Sequence, residues 1–282
     1  MLCNEQHHII LHSDTKEFEE AYLTSLQGGF SLNDRSQPTW TLLWAYSKRM
    51  LTYESDMLNA FSGVLNHALR YHLWGLPIQS RRLELYLHWQ LYDSLRKIKR
   101  RSGFPTWSWV GWKGRINPCR SATPNRLTIT VEVPGKQKPW QTLREYKRND
   151  YGGRKSSPMD QPRFLRITAP RLFPKFSTKM KLASHMSPKI RATFEFDCVL
   201  DPYGKVNLED DTVKTQLEDL WALAVYCGTY ATNNYRGDAL MVLLLKSTRH
   251  RFRRVGIISL RIKAGKIPRW LTKAEMATVV LE

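Results

Sequence analysis

The hydrophobic period of this sequence changes near Gly103 and Pro105, and this change constrains the fold more than any other feature. Before it, apolar residues recur every three or four positions, as on one face of an α-helix. After it, short runs rich in β-branched and aromatic residues alternate with polar ones, as in strands. Gly103 suits the left-handed end of a helix, and Pro105 prevents the helix from continuing. We therefore predict an α+β fold, in which an N-terminal helical layer is followed by a mainly antiparallel β-sheet or open barrel.

The helical layer is predicted over residues 39–102, after a weakly ordered N-terminal segment at residues 1–38. Three helices account for its pattern, and the third ends in the basic run at residues 97–101, which suits a helix C-terminus. Their apolar faces are Trp40, Leu43 and Trp44, then Met57, Phe61, Val64, Leu65 and Ala68, then Leu83, Leu87, Leu91, Leu95 and Ile98.

The β-rich portion is predicted over residues 103–282. Strand-like runs occupy residues 107–110, 127–133, 164–168, 192–200, 220–228, 240–246 and 254–260, and a short helix at 270–277 precedes a last strand at 279–281. Residues 134–162 are polar and basic, which indicates a loop or a disordered insert. Trp107 and Trp109 would share one face of a strand. We interpret them, with Trp112, as a packing unit that locks the two portions together; the alternative is an aromatic platform for a ligand or a base.

The net charge of +19 and the pI near 9.9 leave three classes of partner open: nucleic acid, acidic membrane surfaces and an acidic protein domain. The basic residues are spread along the chain, which favours ordinary solvation. The two candidate nucleic-acid footprints are residues 97–101 and the insert, and neither contains interleaved aromatic residues. The sequence contains no signal peptide and no apolar run long enough for a membrane span. The four cysteines are far apart, so we predict reduced thiols and an intracellular, cytoplasmic location.

No set of residues suggests catalysis or metal binding. Glu54 and Asp56 are two positions apart, so on a helix they diverge and cannot share a substrate. His7, His8 and His12 are the best metal candidates, but they lack the glutamate of a metalloprotease motif. No phosphate-binding loop or nucleophile elbow occurs. We predict a non-catalytic chain with no cofactor and no metal.

Four segments resemble one family. The matching residues are Leu51, Thr52, Tyr53, Asp56, Leu58, Asn59, Ala60, Phe61 and Gly63 in KRMLTYESDMLNAFSGVL; Trp74 and Gly75 in HLWGLP; Gly103, Phe104, Pro105, Trp107, Ser108, Trp109, Gly111 and Trp112 in RSGFPTWSWVGWKG; and Arg254, Val255 and Gly256 near the C-terminal end. Together they are similar to the region that follows the HET domain in fungal heterokaryon-incompatibility proteins. The third segment is the most specific, with Thr106 and Val110 as its departures from the family pattern.

The resemblance implies a role in nonself recognition and programmed cell death, with the motif residues serving the fold. The opening and closing motifs of the HET domain are missing, so its chemistry cannot be assigned to any residue here, and a truncated protein is implied. The implied partner is a HET domain, in cis or in trans, or another incompatibility protein. The alternative is a basic, sequence-independent nucleic-acid-binding module.

Overall fold

The computed structural model describes residues 43, 46–47, 51, 53–68, 71–78, 86–91, 99–114, 116–117, 120–121, 125–149, 160–179, 189–194, 204–208, 219–232, 235–262 and 269–282. The fold is α+β with a large, mainly antiparallel sheet, as predicted. The described helices are α1 Met57–Ala68, α2 Leu143–Asn149 and α3 Arg269–Thr272. The described strands are β1 His72–Leu73, β2 Leu76–Pro77, β3 Gln90–Leu91, β4 Lys99–Arg100, β5 Trp112–Lys113, β6 Ile116–Asn117, β7 Arg120–Ser121, β8 Thr130–Val133, β9 Gln141–Thr142, β10 Leu165–Leu172, β11 Pro174–Lys179, β12 Lys189–Phe194, β13 Gly204–Leu208, β14 Leu220–Thr232, β15 Tyr235–Thr248, β16 Arg251–Arg261 and β17 Met276–Leu281.

Helix α1 forms where the apolar spacing predicts it. Met57, Phe61 and Leu65 lie on one face and are buried. Tyr46, which is also helical, stacks on Phe61 with ring centroids 4.5 Å apart and donates its hydroxyl hydrogen to the carbonyl of Met57 at 3.2 Å. Glu54 lies in the single 3-10 turn that precedes α1, so its carboxylate is at the helix start.

The third predicted helix is wrong at residues 86–91. Leu87 and His88 form a turn, Gln90 pairs in strand β3, and Lys99 pairs in strand β4. The reason lies in hydrogen bonds with residues that are distant in the sequence. The carbonyl groups of Leu87 and Trp89 accept hydrogen bonds from a buried arginine of β16, and Gln90 and Leu91 pair with β6, so contacts with distant residues hold this backbone in a non-helical conformation. The apolar spacing of four therefore reports burial here and not helical structure.

The large sheet contains eleven of the described strands, in the order β11-β12-β13-β16-β15-β14-β10-β8-β9, with β17 and β7 off this path. Strand β17 pairs along β10 in antiparallel fashion and meets β16 at Phe252 and Leu281 in parallel fashion. The pairings therefore form a closed circuit through β10, β14, β15, β16 and β17, and the other strands extend from it.

Strands β14, β15 and β16 are the longest, and their centre is buried on both faces. Every residue from 239 to 245 is buried, although the alternation of a half-exposed strand would leave every second one in water. One face contributes Leu243 and Ile257 to a core that also includes α1 and the tryptophan-rich segment. The other face contributes Leu244 and Ile258 to a second core, which includes Leu271 of α3. The sheet thus separates two hydrophobic cores.

Residues 141–149 of the predicted loop or disordered insert form a strand and a helix, which corrects that prediction for these residues, whereas residues 134–140 form a loop. Strand β9 leads directly into α2, and Thr142 and Glu145 form a capping box: the Thr142 backbone N–H donates to Glu145 Oε2 at 2.9 Å, and the Glu145 N–H donates to Thr142 Oγ1 at 3.3 Å. The Thr142 backbone N–H lowers the pKa of Glu145 to about 2, and Lys138 adds to this effect. The spacing of threonine and glutamate is a helix-start signal that outweighs the polar composition. Residues 150–159 of the insert lie outside the described residues.

Candidate functional site: the tryptophan cluster

Five tryptophans, namely Trp74, Trp89, Trp107, Trp109 and Trp112, meet beside α1, and we call them the tryptophan cluster. All five are buried, with relative exposures of 0–3%. Four of them were selected by the family resemblance, whereas Trp89 was not. Aromatic rings from the flanking elements complete the packing, as the ring of Phe61 meets Trp109 edge-on at 5.9 Å.

The segment that holds three of these tryptophans is a tight turn and not the predicted strand. Trp107 lies in a turn, and Trp109–Gly111 form a single 3-10 turn that Ser108 caps by accepting a hydrogen bond from the Val110 N–H at 3.3 Å. A strand would direct alternate residues to opposite faces. Here residues 104–112 are all buried, so a coiled backbone that directs side chains inward on several sides is required.

Each indole N–H in this segment has a backbone partner. Trp107 Nε1 donates to the carbonyl of Arg163 at 3.0 Å, Trp109 Nε1 to that of Gly75 at 3.2 Å, and Trp112 Nε1 to that of Thr106 at 2.8 Å. An unpartnered buried N–H would cost about 1–3 kcal/mol. The tryptophans therefore fix the positions of backbone segments that are distant in the sequence.

The β1–β2 turn docks against this segment through its backbone. Ser108 Oγ donates to the carbonyl of Trp74 at 2.6 Å, and Trp74 Nε1 donates to the carbonyl of Pro162 at 2.8 Å. Trp74 and Gly75 have φ angles of 48° and 83°, which is the left-handed region. A β-carbon on Gly75 would lie 2.7 Å from Trp109 Nε1, so glycine is required there for space as well as for backbone conformation.

Arg254 of β16 is fully buried against the cluster. Its guanidinium lies 3.6 Å above the ring of Trp89 and donates to the carbonyls of Leu87 and Trp89, each at 2.5 Å. Its backbone N–H donates to Thr106 Oγ1 at 3.1 Å, and the Thr106 N–H donates to the carbonyl of Glu282 at 2.9 Å. Thr106 thus joins the tryptophan segment to both β16 and the residue that follows β17.

Two of the basic residues assigned to the nucleic-acid footprint at 97–101 serve the fold instead. Arg100 Nη1 donates to the carbonyls of Arg101 and Gly111 at 2.7 and 2.5 Å, and its guanidinium lies 5.3 Å from the Trp112 ring. Arg101 is buried and donates to the carbonyls of Val110 and Trp112. Burial lowers the pKa of Arg101 to about 10, so it remains charged at neutral pH. These interactions correct the footprint prediction for Arg100 and Arg101; residues 97 and 98 lie outside the described residues.

Burial shifts the pKa values of two further titratable groups in the described part of the chain, His72 and Cys227. Burial lowers the pKa of His72 to about 4, and Gln161 Nε2 lies 3.4 Å from its Nδ1. Burial raises the pKa of Cys227 to about 11, so its thiol is protonated and weakly nucleophilic at neutral pH. Among the described residues no group of three or more His, Cys, Asp and Glu side chains could hold a metal. His7, His8 and His12 lie outside the described residues.

The structure brings together most of the residues chosen by resemblance. The buried ones are Leu58, Phe61, Trp74, Gly75, Phe104, Pro105, Trp107, Ser108, Trp109, Gly111, Trp112, Arg254, Val255 and Gly256, and Leu51 packs partly buried against the same core. Val255 belongs to the second core, across the sheet. The exposed ones are Tyr53, Asp56, Asn59, Ala60, Gly63 and Gly103, and Thr52 lies outside the described residues. Gly103 has a φ angle of 85°, as predicted, although it follows strand β4 and not a helix.

No family model, no curated protein and no solved structure matches this chain. The resemblance to the incompatibility family therefore rests on the four segments alone. Within the described residues, none of the helices combines the length and the apolar character that crossing a bilayer requires.

Proposed function

We propose that this chain is a non-catalytic companion region of a fungal heterokaryon-incompatibility protein, which acts by binding a HET domain in cis or in trans. The observation that carries the proposal is that the segments chosen by resemblance interlock in space. Phe61 of the first segment contacts Trp109 of the third, and Ser108 of the third binds Trp74 of the second. Thr106, which lies in the third segment but departs from the family pattern, accepts a hydrogen bond from Arg254 of the fourth.

This convergence supports the family proposal because the segments were matched one at a time. Matches that arise by chance have no reason to lie in contact, especially when they are separated by 34 and 148 residues, as Trp74 and Arg254 are from their partners. A shared sequence pattern whose members build one buried unit is typical of residues that define a fold. Four of the five tryptophans of the cluster belong to the proposed family pattern, which supports a structural role for that pattern.

The exposed half of the first segment is the surface that we assign to the HET domain. Tyr53 is 63% exposed, and Asp56, Asn59, Ala60 and Gly63 follow it on the solvent side of the 3-10 turn and α1. Packing within the described residues explains Phe61 but not these side chains. An exposed tyrosine beside small and polar residues is a common composition for a protein interface, because tyrosine adds contact area at low entropic cost.

The test is co-purification of the full chain with a tagged HET domain of a fungal incompatibility protein. We expect capture of the wild-type chain, loss of capture for a Tyr53→Ala/Asp56→Ala variant, and unchanged capture for Met276→Ala, which changes a residue that is 48% exposed on β17. Absence of capture at low salt would refute the proposed binding. Equal capture of the wild-type chain and both variants would refute the assigned surface.

A further inference from the structure

A second surface lies at the turn between β15 and β16, and it follows from the distribution of charge. From residue 239 to residue 274 the sequence contains ten lysines and arginines and no aspartate or glutamate. The tip of this hairpin carries Arg249, His250 and Arg251, which are all exposed, and the half-buried Arg253 follows on β16. The tip of the hairpin therefore concentrates basic residues at the surface.

Aromatic rings accompany these cations. The guanidinium of Arg171 lies 3.6 Å from the ring of Trp221 and 4.6 Å from that of Phe173. Trp221 in turn meets Phe252 of the hairpin, with ring centroids 4.9 Å apart. We call Phe252, Trp221, Arg171 and Phe173 the arginine–aromatic row. It begins at the hairpin and ends at Phe173, which is 63% exposed.

The cations of this surface lack acidic partners among the described residues. None of Arg171, Arg249, Arg251 and Arg253 forms an ion pair there. The Nε atoms of Arg171 and Arg253 are also buried without a hydrogen-bond partner in that part of the chain. Elsewhere the fold does pair its arginines, as Arg166 is bound to Glu132 through two hydrogen bonds of 2.6 and 2.7 Å. Arg249 and Arg251 are exposed at the tip, and the guanidinium of Arg251 lies 3.9 Å from the ring of Phe164. These two exposed cations therefore suit acceptors that come from outside the chain.

From this arrangement we infer that the hairpin and the arginine–aromatic row bind single-stranded nucleic acid. Phosphates would pair with Arg249 and Arg251 at the tip, and an unpaired base would stack on Phe173 at the other end. Charge alone would suit an acidic peptide equally well. Rings placed beside the cations favour a ligand that alternates anionic phosphates with flat aromatic bases. This inference does not rest on the family proposal, and it uses a different surface.

The experiment measures anisotropy of a fluorescein-labelled oligouridylate of about 15 nucleotides, a length within the site sizes of single-strand binders, titrated with the full chain at several salt concentrations. We expect binding that weakens with salt. Arg249→Gln/Arg251→Gln should reduce the slope of log K against log salt by about 1.4, or about 0.7 for each phosphate that is no longer neutralised. Phe173→Ala should weaken binding about tenfold at every salt concentration, because the base has no ring to stack on.

The matched control is Arg144→Gln/Arg148→Gln, which removes the same charge from exposed positions on α2. These positions lie in the insert that the sequence offered as the other nucleic-acid footprint, so the control also tests that footprint against the hairpin. We expect it to change the affinity less than twofold. Equal weakening by the control and the hairpin variant would refute a defined site, since net charge would then explain the binding. Arg249, Arg251 and Phe173 are exposed, although Arg251 and Phe173 each have one cation–π contact within the chain. Circular dichroism and thermal melting therefore establish that each variant is folded before its affinity is compared.

Two further probes separate the alternatives. Polyglutamate that competes as strongly as the oligouridylate, with affinity unaffected by Phe173→Ala, would assign the surface to acidic proteins and overturn the inference. Duplex DNA that binds as tightly as the single strand would overturn the stacking contact. The anisotropy titration contains no HET domain, so a negative result in it does not affect the co-purification result. A negative co-purification result likewise does not affect the nucleic-acid binding result.

Discussion

A single methyl group at Gly75 should destabilise the protein through two separable effects. The φ angle of 83° disfavours any residue with a β-carbon by about 1–2 kcal/mol. The β-carbon would also lie 2.7 Å from Trp109 Nε1 and 2.8 Å from Cζ2, and forcing extra volume into a packed core costs about 1–3 kcal/mol. Because alanine restricts the unfolded chain, about 0.4–1 kcal/mol is recovered. We expect Gly75→Ala to lower the free energy of unfolding by about 2–4 kcal/mol.

Gly103 provides a matched control for the steric effect. Its φ angle of 85° is nearly the same, but a β-carbon there would meet nothing within 4 Å. We therefore expect Gly103→Ala to cost only about 1 kcal/mol. The assay is urea unfolding followed by tryptophan fluorescence, with the m-value checked for constancy. Equal losses for the two variants, within about 0.5 kcal/mol, would refute the close packing of Gly75 on Trp109.

A double-mutant cycle would identify the neighbour that causes the clash. In a Trp109→Phe background the smaller ring leaves room for the new methyl group, so Gly75→Ala should cost about 1 kcal/mol less than in the wild type. Additive losses would mean that the methyl group meets something other than the indole.

Three further variants test other parts of the structure. Arg254→Ala should lower the free energy of unfolding by about 3–5 kcal/mol, because it removes a buried cation and leaves the carbonyls of Leu87 and Trp89 without this donor. Arg254→Lys should recover only part of the loss. Urea unfolding of both variants checks this, and an unchanged midpoint for Arg254→Lys would argue against the stacking of the guanidinium on Trp89. Gly63→Ala should stabilise the isolated chain by about 1 kcal/mol, since Gly63 lies within α1 and its new β-carbon would meet nothing within 4 Å; a lower melting temperature would contradict this. For His72 the folded pKa of about 4 lies below the ordinary 6.5, so the unfolded chain takes up the proton first as the pH falls. The free energy of unfolding therefore decreases by about 1.4 kcal/mol for each pH unit that the pH is lowered between these values. His72→Gln should flatten the profile of unfolding free energy between pH 6.5 and 4.5, and parallel profiles for the variant and the wild type would exclude His72 as the cause.

Local periodicity was sufficient to predict the elements whose sequence pattern and tertiary environment agree. Met57, Phe61 and Leu65 form a helical stripe because α1 has one buried face and one face in water. The strands of the circuit were also expected, because apolar runs such as 240–245 are continuous and have the length of a buried strand. The α+β class follows from these elements alone.

The failures occur where distant residues determine the backbone. Nothing near Leu87 in the sequence indicates that its carbonyl is bound by Arg254, which is 167 residues away. The same holds for Trp107 and Trp109: their burial could be inferred from their size, but the turn that buries both depends on carbonyls at positions 163 and 75. Trp89 was missed because it belongs to no matched segment.

Two signals in the sequence predict features that composition obscures. Thr142 and Glu145 have the spacing of a capping box, which predicts an ordered helix inside the polar stretch. The acid-free stretch from 239 to 274 marks the basic hairpin better than the run at 97–101 does. A count of basic residues alone points to the wrong place, because Arg100 and Arg101 direct their charge to internal carbonyls.

The bond between Thr106 and Glu282 has a consequence for the order in which this protein can fold. The two residues are 176 positions apart, and the strand before Glu282 also completes the circuit by pairing with β10. On the ribosome, the segment at residues 104–112 is therefore synthesised long before Arg254 and Glu282, which bind it in the folded protein. Its tryptophan rings cannot be fully buried until β16 and β17 have emerged. Contacts so remote along the chain are typical of folding in milliseconds to seconds. During synthesis, the five tryptophans that hold the folded molecule together would be exposed to solvent and would favour aggregation. A chaperone that binds aromatic surface should therefore raise the yield of folded protein.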